Sequence, residues 1–158
     1  MFGLFKNKNK DLYAPVKGEC IPLEDVSDPI FSNKLLGDGV AFRLISNTVY
    51  SPCDGTVVMI AETKHAIGLK NRNGVEIMIH IGLDTVNYNG KGFKCFVSSN
   101  QKVKKGQKLM EVDLDYFKNE NVDLTTPMII VTKDISLTVL NKKIVDNDDV
   151  VIKLGDES

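Results

Sequence analysis

The stretch KHAIGLKNRNGVEIMIHIG, residues 64–82, holds two apolar runs of strand length on either side of the turn cluster NRNG. Such a cluster between two apolar runs predicts a β-hairpin. With a four-residue loop, His65 lies directly opposite His80; with a two-residue loop, His65 lies opposite Gly82 and diagonal to His80. Both registers place the two imidazole rings on one face, with their Cβ atoms about 4.5–5.5 Å apart if opposite and about 7–8 Å or less if diagonal, so the rings can touch. The sequence therefore predicts a histidine pair on one β-ribbon.

The same alternation of side chains adds neighbours to this pair. Thr63 shares the face of His65, and Asp84 shares the face of His80 if the strand stays extended that far. Two apposed imidazoles disfavour being charged together, so near neutral pH one of them keeps a free lone pair. That ring could accept a phosphoryl group, or the pair could supply two zinc ligands. The structural alternative is a pair of core histidines satisfied by backbone groups.

Short apolar runs recur along the rest of the chain between turn signals such as GDG, SPCDG and KKGQ. Predicted strands cover residues 40–45, 55–61, 65–70, 75–83, 93–97, 108–112, 128–132 and 150–154. Only residues 114–120 favour a short helix. Many short strands with at most one or two short helical turns indicate an all-β sandwich or barrel.

An internal repeat indicates that this domain is duplicated. APVKGECIPL (14–23) and SPCDGTVVMI (51–60) both place Pro, two variable residues and Gly before a strand. A glycine allows the sharp entry into the extended run. We expect one β domain over residues 13–155 and a flexible N-terminal tail over residues 1–12.

Composition excludes several classes of protein. In 158 residues, 20 Lys and Arg face 21 Asp and Glu, for a net charge of −1, which argues against a general nucleic-acid binder. No apolar run approaches the roughly 18 residues that span a bilayer. Cys20, Cys53 and Cys95 are odd in number and far apart, which favours free thiols and a cytoplasmic protein. The N-terminal MFGLFKNKNK lacks the order of a signal peptide, and we expect at most peripheral membrane contact from it.

Five segments, taken in order, resemble the glucose-family enzyme IIA of the phosphoenolpyruvate:sugar phosphotransferase system. They are FSNKLLGDGVAF (31–42), SPCDGTVV (51–58), ETKHAIGL (62–69), VEIMIHIGLDTV (75–86) and KGFKCFV (91–97). The resemblance implies antiparallel β-sheets with a shallow apolar depression around the two histidines. It also implies a phosphotransferase component that carries a phosphoryl group during sugar uptake.

By this resemblance, His80 is the phosphorylated residue, which accepts the group from phospho-HPr and passes it to a cysteine of an enzyme IIB domain. His65 is the second, phosphate-stabilising histidine, Thr63 orients it, and Asp84 is a carboxylate that faces the partner. The apolar docking rim falls on Phe31, Leu35, Leu36, Met78 and Val86. No cofactor is expected. Zinc could bind His65 and His80 only where a partner completes the site, and regulatory partners are a further expectation.

Two other classes share parts of this pattern. A zinc hydrolase of the peptidoglycan-endopeptidase type could use His65, His80 and Asp84, but its H-x-H pair and a third firm ligand are missing. A biotinyl- or lipoyl-like carrier is suggested by VKKGQKLMEV (103–112). It would need a modified lysine on an exposed hairpin, and Lys64 lacks the usual flanking residues.

Overall fold

The structure, a computed structural model, describes residues 10–157. Its strands are β1 (Asp11–Tyr13), β2 (Gly18–Pro22), β3 (Asp38–Leu44), β4 (Thr48–Tyr50), β5 (Gly55–Ile60), β6 (Ala66–Asn71), β7 (Glu76–His80), β8 (Phe93–Cys95), β9 (Lys102–Val103), β10 (Lys108–Val112), β11 (Thr126–Ile130), β12 (Ile135–Val139), β13 (Ile144–Val145) and β14 (Val150–Glu157). The helices are α1 (Pro29–Ser32) and α2 (Leu114–Asn119), with 3₁₀ turns at Leu23–Asp25 and Thr85–Tyr88.

The strands form three sheets. One sheet of eight strands has the order β13-β2-β3-β11-β7-β6-β5-β9, and two sheets of three strands have the orders β1-β14-β12 and β4-β10-β8. Every strand pair given by the ladders is antiparallel. The predicted antiparallel all-β fold is therefore confirmed. Its main core is apolar, and its largest fully buried side chains include Phe42, Phe117, Leu12, Ile77, Ile79 and Met110.

The duplication inferred from the Pro-x-x-Gly repeat is visible in the large sheet. Gly18 begins β2 and Gly55 begins β5, and each starts a strand that pairs with a two-residue edge strand, β13 or β9. A Cβ atom at Gly18 would lie 2.2 Å from the carbonyl oxygen of Arg43, and one at Gly55 would lie 2.2 Å from that of Lys70. Both glycines therefore allow the same close approach of neighbouring strands, once in each half.

Several predicted boundaries differ from the observed ones. Strand β3 runs over residues 38–44 instead of 40–45, β11 over 126–130 instead of 128–132, and β7 ends at His80 instead of residue 83. Helix α1 was not predicted, although Asp28 caps it by accepting a hydrogen bond from the Ile30 amide. A proline follows that cap at the first helical position, as is common at helix N-termini.

The N-terminal boundary also lies earlier than predicted. Asp11 and Leu12, which the sequence assigned to the tail, belong to β1 and pair with β14, and Leu12 is fully buried. The prediction of a flexible tail at residues 1–9 lies outside the described residues. None of the helices within residues 10–157 is long and apolar enough to cross a membrane.

The β6–β7 hairpin has neither of the two predicted registers. Ala66 pairs with His80 and Lys70 with Glu76, one residue away from both predictions. The loop has three residues, because the Asn71 amide donates to the Val75 carbonyl at 2.9 Å and Gly74 closes the turn with φ +83°. A three-residue loop with glycine in the left-handed region is a common hairpin connection.

Candidate functional site

The two histidine rings meet at the end of the β6–β7 hairpin that lies away from its loop. Their centroids are 4.9 Å apart and their planes are inclined by 74°. The predicted contact is confirmed, but the reason given for it was wrong. A shift of one residue should place the two side chains on opposite faces. The alternation of side chains along a strand does not apply to His65, because β6 begins only at Ala66.

The conformation of His65 comes from the turn that precedes β6. Lys64 has φ +61°, in the left-handed region, and its amide donates to the Ala61 carbonyl at 2.8 Å. The His65 carbonyl accepts a hydrogen bond from the Ile81 amide at 2.6 Å. The turn therefore fixes the backbone of His65 beside the end of β7. Because His65 lies outside β6, its side chain does not follow the alternation of side chains along that strand.

The tautomer of His80 follows from its hydrogen bond. Its Nδ1 atom lies 2.6 Å from the carbonyl oxygen of Gly82. A carbonyl only accepts, so Nδ1 carries the proton and the lone pair of the neutral ring is on Nε2. The backbone of Gly82 is left-handed, with φ +80°, and a Cβ atom there would lie 2.5 Å from Cγ2 of Thr85. The position therefore requires glycine, and the His80 tautomer depends on it.

The second ring is held by Thr63, whose Oγ1 lies 2.5 Å from Nδ1 of His65. A hydroxyl can donate or accept. When Thr63 donates, the proton of a neutral His65 is on Nε2, which makes that atom a hydrogen-bond donor. Thr63 lies in the turn before β6 and not on a strand as predicted, yet it contacts His65 as expected.

Both rings favour the neutral state. Burial lowers the pKa of His65, and the neighbouring charge on His80 lowers it further. Burial also lowers the pKa of His80, opposed by its hydrogen bond to Gly82 and by the negative charge of Asp28. At neutral pH the pair is therefore uncharged, and Nε2 of His80 is available as a nucleophile.

Phe31 forms one wall of the site. Its ring centroid lies 5.0 Å from that of His80, and its side chain is buried in a second, smaller apolar cluster. Leu23, Val26 and Ile129 belong to the same cluster, and Met78 packs against it. Phe31 was predicted as part of a docking rim; the structure places it beside the His80 ring, largely inaccessible to a partner.

The other predicted rim residues are more accessible. Leu35 is 69% exposed, Leu36 44% and Val86 45%. Met78 is half-buried and shares a strand face with His80, opposite Gly68 of β6. Asp84 is exposed at the start of the 3₁₀ turn after β7. Within residues 10–157 it forms no hydrogen bond or ion pair with either imidazole.

Two residues near the site were missed by the sequence reasoning. Asp28 is half-buried at the start of α1, and its charge acts on His80. Ile30, two residues later, is an apolar side chain that is 47% exposed. The Asp-Pro pair is a helix-start signal that could have located α1, and with it this carboxylate.

The site offers few ligands for a metal ion. The described residues contain no group of three or more His, Cys, Asp or Glu side chains that could hold one. The two imidazoles alone supply two ligands, whereas protein zinc sites use three or four. Lys64 is exposed in the loop that joins the antiparallel strands β5 and β6, directly before His65.

Comparisons with known proteins agree on one family. Residues 10–135 match the model of the phosphoenolpyruvate-dependent sugar phosphotransferase system, EIIA 1. A glucose-specific EIICBA component from Staphylococcus saprophyticus is 45% identical over 148 residues, which are 93% of this chain and 22% of that protein. The chain thus spans about a fifth of that relative.

A solved structure gives the same result. Glucose permease IIA from Mycoplasma capricolum superimposes with a TM-score of 0.87 at 39% identity, covering 94% of this chain and 97% of that one. Sequence and fold therefore agree over nearly the whole chain. It belongs to the glucose-type enzyme IIA family of the phosphoenolpyruvate-dependent sugar phosphotransferase system.

Proposed function

We propose that this chain carries the phosphoryl group on Nε2 of His80, taking it from a histidine of phospho-HPr and giving it to a cysteine of an enzyme IIB domain. The observation that carries this proposal is the bond from Nδ1 of His80 to the Gly82 carbonyl. It leaves one nitrogen with a lone pair and fixes which nitrogen that is. Family membership supplies the reaction, and this bond supports the choice of atom.

Transfer to His80 needs only one bond made and one broken. The Nε2 lone pair attacks phosphorus while the bond between phosphorus and the donor nitrogen breaks, and the donor ring recovers its electron pair. The proton stays on Nδ1, which donates it in a hydrogen bond to the Gly82 carbonyl, and that carbonyl stabilises the positive charge that develops on the ring. In the second step a cysteine thiolate attacks phosphorus, and Nε2 regains its lone pair.

We assign His65 the role of holding the phosphate. Its ring lies 4.9 Å from that of His80, close enough for Nε2–H to donate to a phosphate oxygen after transfer. Thr63 keeps the proton on that nitrogen by donating to Nδ1. A neutral donor of this kind stabilises the phosphate without binding it so strongly that transfer to the acceptor is prevented.

Both partners would dock on the apolar surface around the site. Ile30, Leu35, Leu36 and Val86 are exposed apolar side chains that we assign to this surface, and half-buried Met78 shares a strand face with His80. Closing such a surface excludes water from the reacting phosphoryl group. Asp84 at the surface and Asp28 at the start of α1 provide negative charge that suits an arginine beside the donor histidine.

The wider setting is also part of this proposal. The relative from Staphylococcus saprophyticus is glucose-specific, so we propose a sugar of this class as the final acceptor, and the cytoplasm as the compartment. We propose no cofactor. Zinc would bind only where a partner adds a ligand to the two histidines, and regulatory partners would use the same apolar surface.

The test is transfer of labelled phosphate from phosphoenolpyruvate through enzyme I and HPr. The wild-type chain should be labelled in an acid-labile, base-stable form, and His80→Gln should take no label. His65→Gln should accept the group but pass it on to an enzyme IIB domain at least about tenfold more slowly, since an assisting donor is lost. An unlabelled wild type, or label on His80→Gln with none on His65→Gln, would contradict the proposal.

A further inference from the structure

A second concave site lies at the loop end of the β6–β7 hairpin, away from the histidines. It is a groove of about 550 Å³ whose charged lining residues, among those the structure describes, are all basic: Lys70, Arg72, Lys102 and Lys104. We propose that this groove binds a small soluble molecule that carries two phosphate groups. Its volume lies within the range of about 300–1,000 Å³ typical of small-molecule sites.

The strand register places Lys70 and Lys102 on either side of the hydroxyl of Thr56. Thr56 of β5 pairs with Lys70 of β6 on one side and with Lys102 of β9 on the other. Directly paired residues share a sheet face, and neighbouring strands lie about 4.8 Å apart, so the two lysine Cα atoms are about 10 Å apart. Flexible lysine stems can therefore bring both ammonium groups to one phosphate above Thr56.

Arg72 and Lys104, the other two cations, each lie two residues after one of these lysines. Arg72 is in the hairpin loop after Lys70, and Lys104 follows Lys102 at the end of β9. They make a second pair beside the first, in the same groove. A ligand with two phosphate groups would contact both pairs, whereas a single phosphate would contact one.

The charge of the groove is only partly neutralised by the protein. Nζ of Lys70 lies 3.9 Å from Oε1 of Glu76, and Nη2 of Arg72 lies 3.7 Å from Oδ2 of Asp54. Within residues 10–157, neither Lys102 nor Lys104 forms an ion pair. Four cations therefore face two carboxylates, in a chain whose net charge is −1.

The excess of positive charge in the groove favours an anionic ligand that carries more than one negative charge. All four cations are exposed, and an exposed charge pair contributes little by itself. Useful affinity therefore needs several contacts at once, which a bisphosphate provides and a monoanion does not.

The test uses the full chain labelled with ¹⁵N and titrated with glucose 1,6-bisphosphate, with inorganic phosphate as a comparison. We expect saturable amide shifts at Thr56, Lys70 and Lys102, with weaker binding of inorganic phosphate. Lys70→Gln combined with Lys102→Gln should weaken binding at least about tenfold. Lys118→Gln combined with Lys153→Gln removes the same charge from exposed positions outside the groove and should leave binding unchanged.

Three results would overturn this inference. They are shifts that never saturate, equal weakening in the two double variants, or binding to phosphatidylserine vesicles without binding of the soluble bisphosphate. Thermal unfolding of each variant checks that it is folded. Lys102→Gln alone, on the short edge strand β9, serves as the second variant should the groove double variant unfold, and it must then weaken binding more than Lys153→Gln does.

Discussion

At the scale of single residues, the reactivity that we propose for His80 depends on a glycine that does no chemistry itself. The Gly82 carbonyl holds the proton of His80 on Nδ1, and the backbone that presents this carbonyl to the ring is left-handed. A side chain at this position is excluded twice, by the φ angle and by the contact with Thr85. The tautomer of His80 is thus set by the backbone two residues later.

This account predicts that Gly82→Ala damages both stability and phosphorylation. Strain at φ +80° and the collision with Thr85 should cost about 1–3 kcal/mol of unfolding free energy, measured with urea. The displaced carbonyl should also slow labelling by phospho-HPr. Gly74→Ala is the matched control, because φ is +83° there but a Cβ atom would meet nothing within 4 Å.

The two variants should therefore differ in activity. Gly74→Ala should lose some stability through backbone strain and keep the wild-type labelling rate. If both variants were labelled equally fast, the Gly82 carbonyl would not control the nucleophile.

The lowered pKa values of the two histidines predict a pH-dependent stability. In the folded chain the pKa of each ring lies below the ordinary histidine value of about 6.5, so as pH falls the unfolded chain binds protons before the folded chain does. The histidine pair therefore makes its full contribution to the unfolding free energy above about pH 6.5, and this contribution is lost as the pH falls toward the pKa values of the folded chain. Urea unfolding at pH 7.5 and 5.5 should show a larger loss for wild type than for the double variant His65→Gln with His80→Gln.

The double variant lacks both imidazoles, so the difference between the two losses measures the contribution of the histidine pair, including its coupling to Asp28. Equal losses in the two proteins would mean that burial does not hold the rings neutral.

At the scale of elements, the β6–β7 hairpin shows what the sequence can and cannot predict. Two apolar runs around NRNG were enough to place both histidines on one ribbon. The register was not predictable, because loop length depends on the side chain of Asn71, whose Oδ1 accepts from the amides of Asn73 and Val75. Nor did the sequence indicate a left-handed Lys64, a backbone state unusual for lysine, which carries His65 out of the strand.

The role of Asn71 can be tested by Asn71→Ala. The side chain is buried and accepts two backbone hydrogen bonds at 2.9 Å within the loop. Its loss leaves amides without those partners and should lower the unfolding free energy by about 1–3 kcal/mol. Labelling of His80, at the other end of the hairpin, should stay within about twofold of wild type when assayed well below the unfolding transition.

Asn71→Asp is the conservative comparison, since a carboxylate accepts the same two hydrogen bonds. It should retain most of the stability that alanine loses. A stable Asn71→Ala protein would show that the loop is set by Gly74 and not by this side chain.

At the scale of the whole molecule, the fold combines a duplicated frame with a single site, to which both halves contribute residues. Composition, turn spacing and the Pro-x-x-Gly repeat predicted the duplicated all-β fold. They could do so because the alternation of apolar and polar residues and the glycine turns are local properties of the sequence. The site needs α1, which brings Phe31 to within 5.0 Å of His80 across the large sheet. Such a contact between distant segments depends on tertiary packing, which explains why Asp28 and Ile30 were missed.

The central claim is that phosphate is carried on Nε2 of His80, with the proton held on Nδ1 by Gly82. Nitrogen-15 and phosphorus-31 NMR of the phosphorylated chain measures this directly, through the coupling between phosphorus and each imidazole nitrogen. The account predicts one phosphohistidine, bonded at Nε2 of His80, with a protonated Nδ1 and an unmodified His65. Phosphorus bonded to Nδ1 of His80, or to either nitrogen of His65, would contradict it.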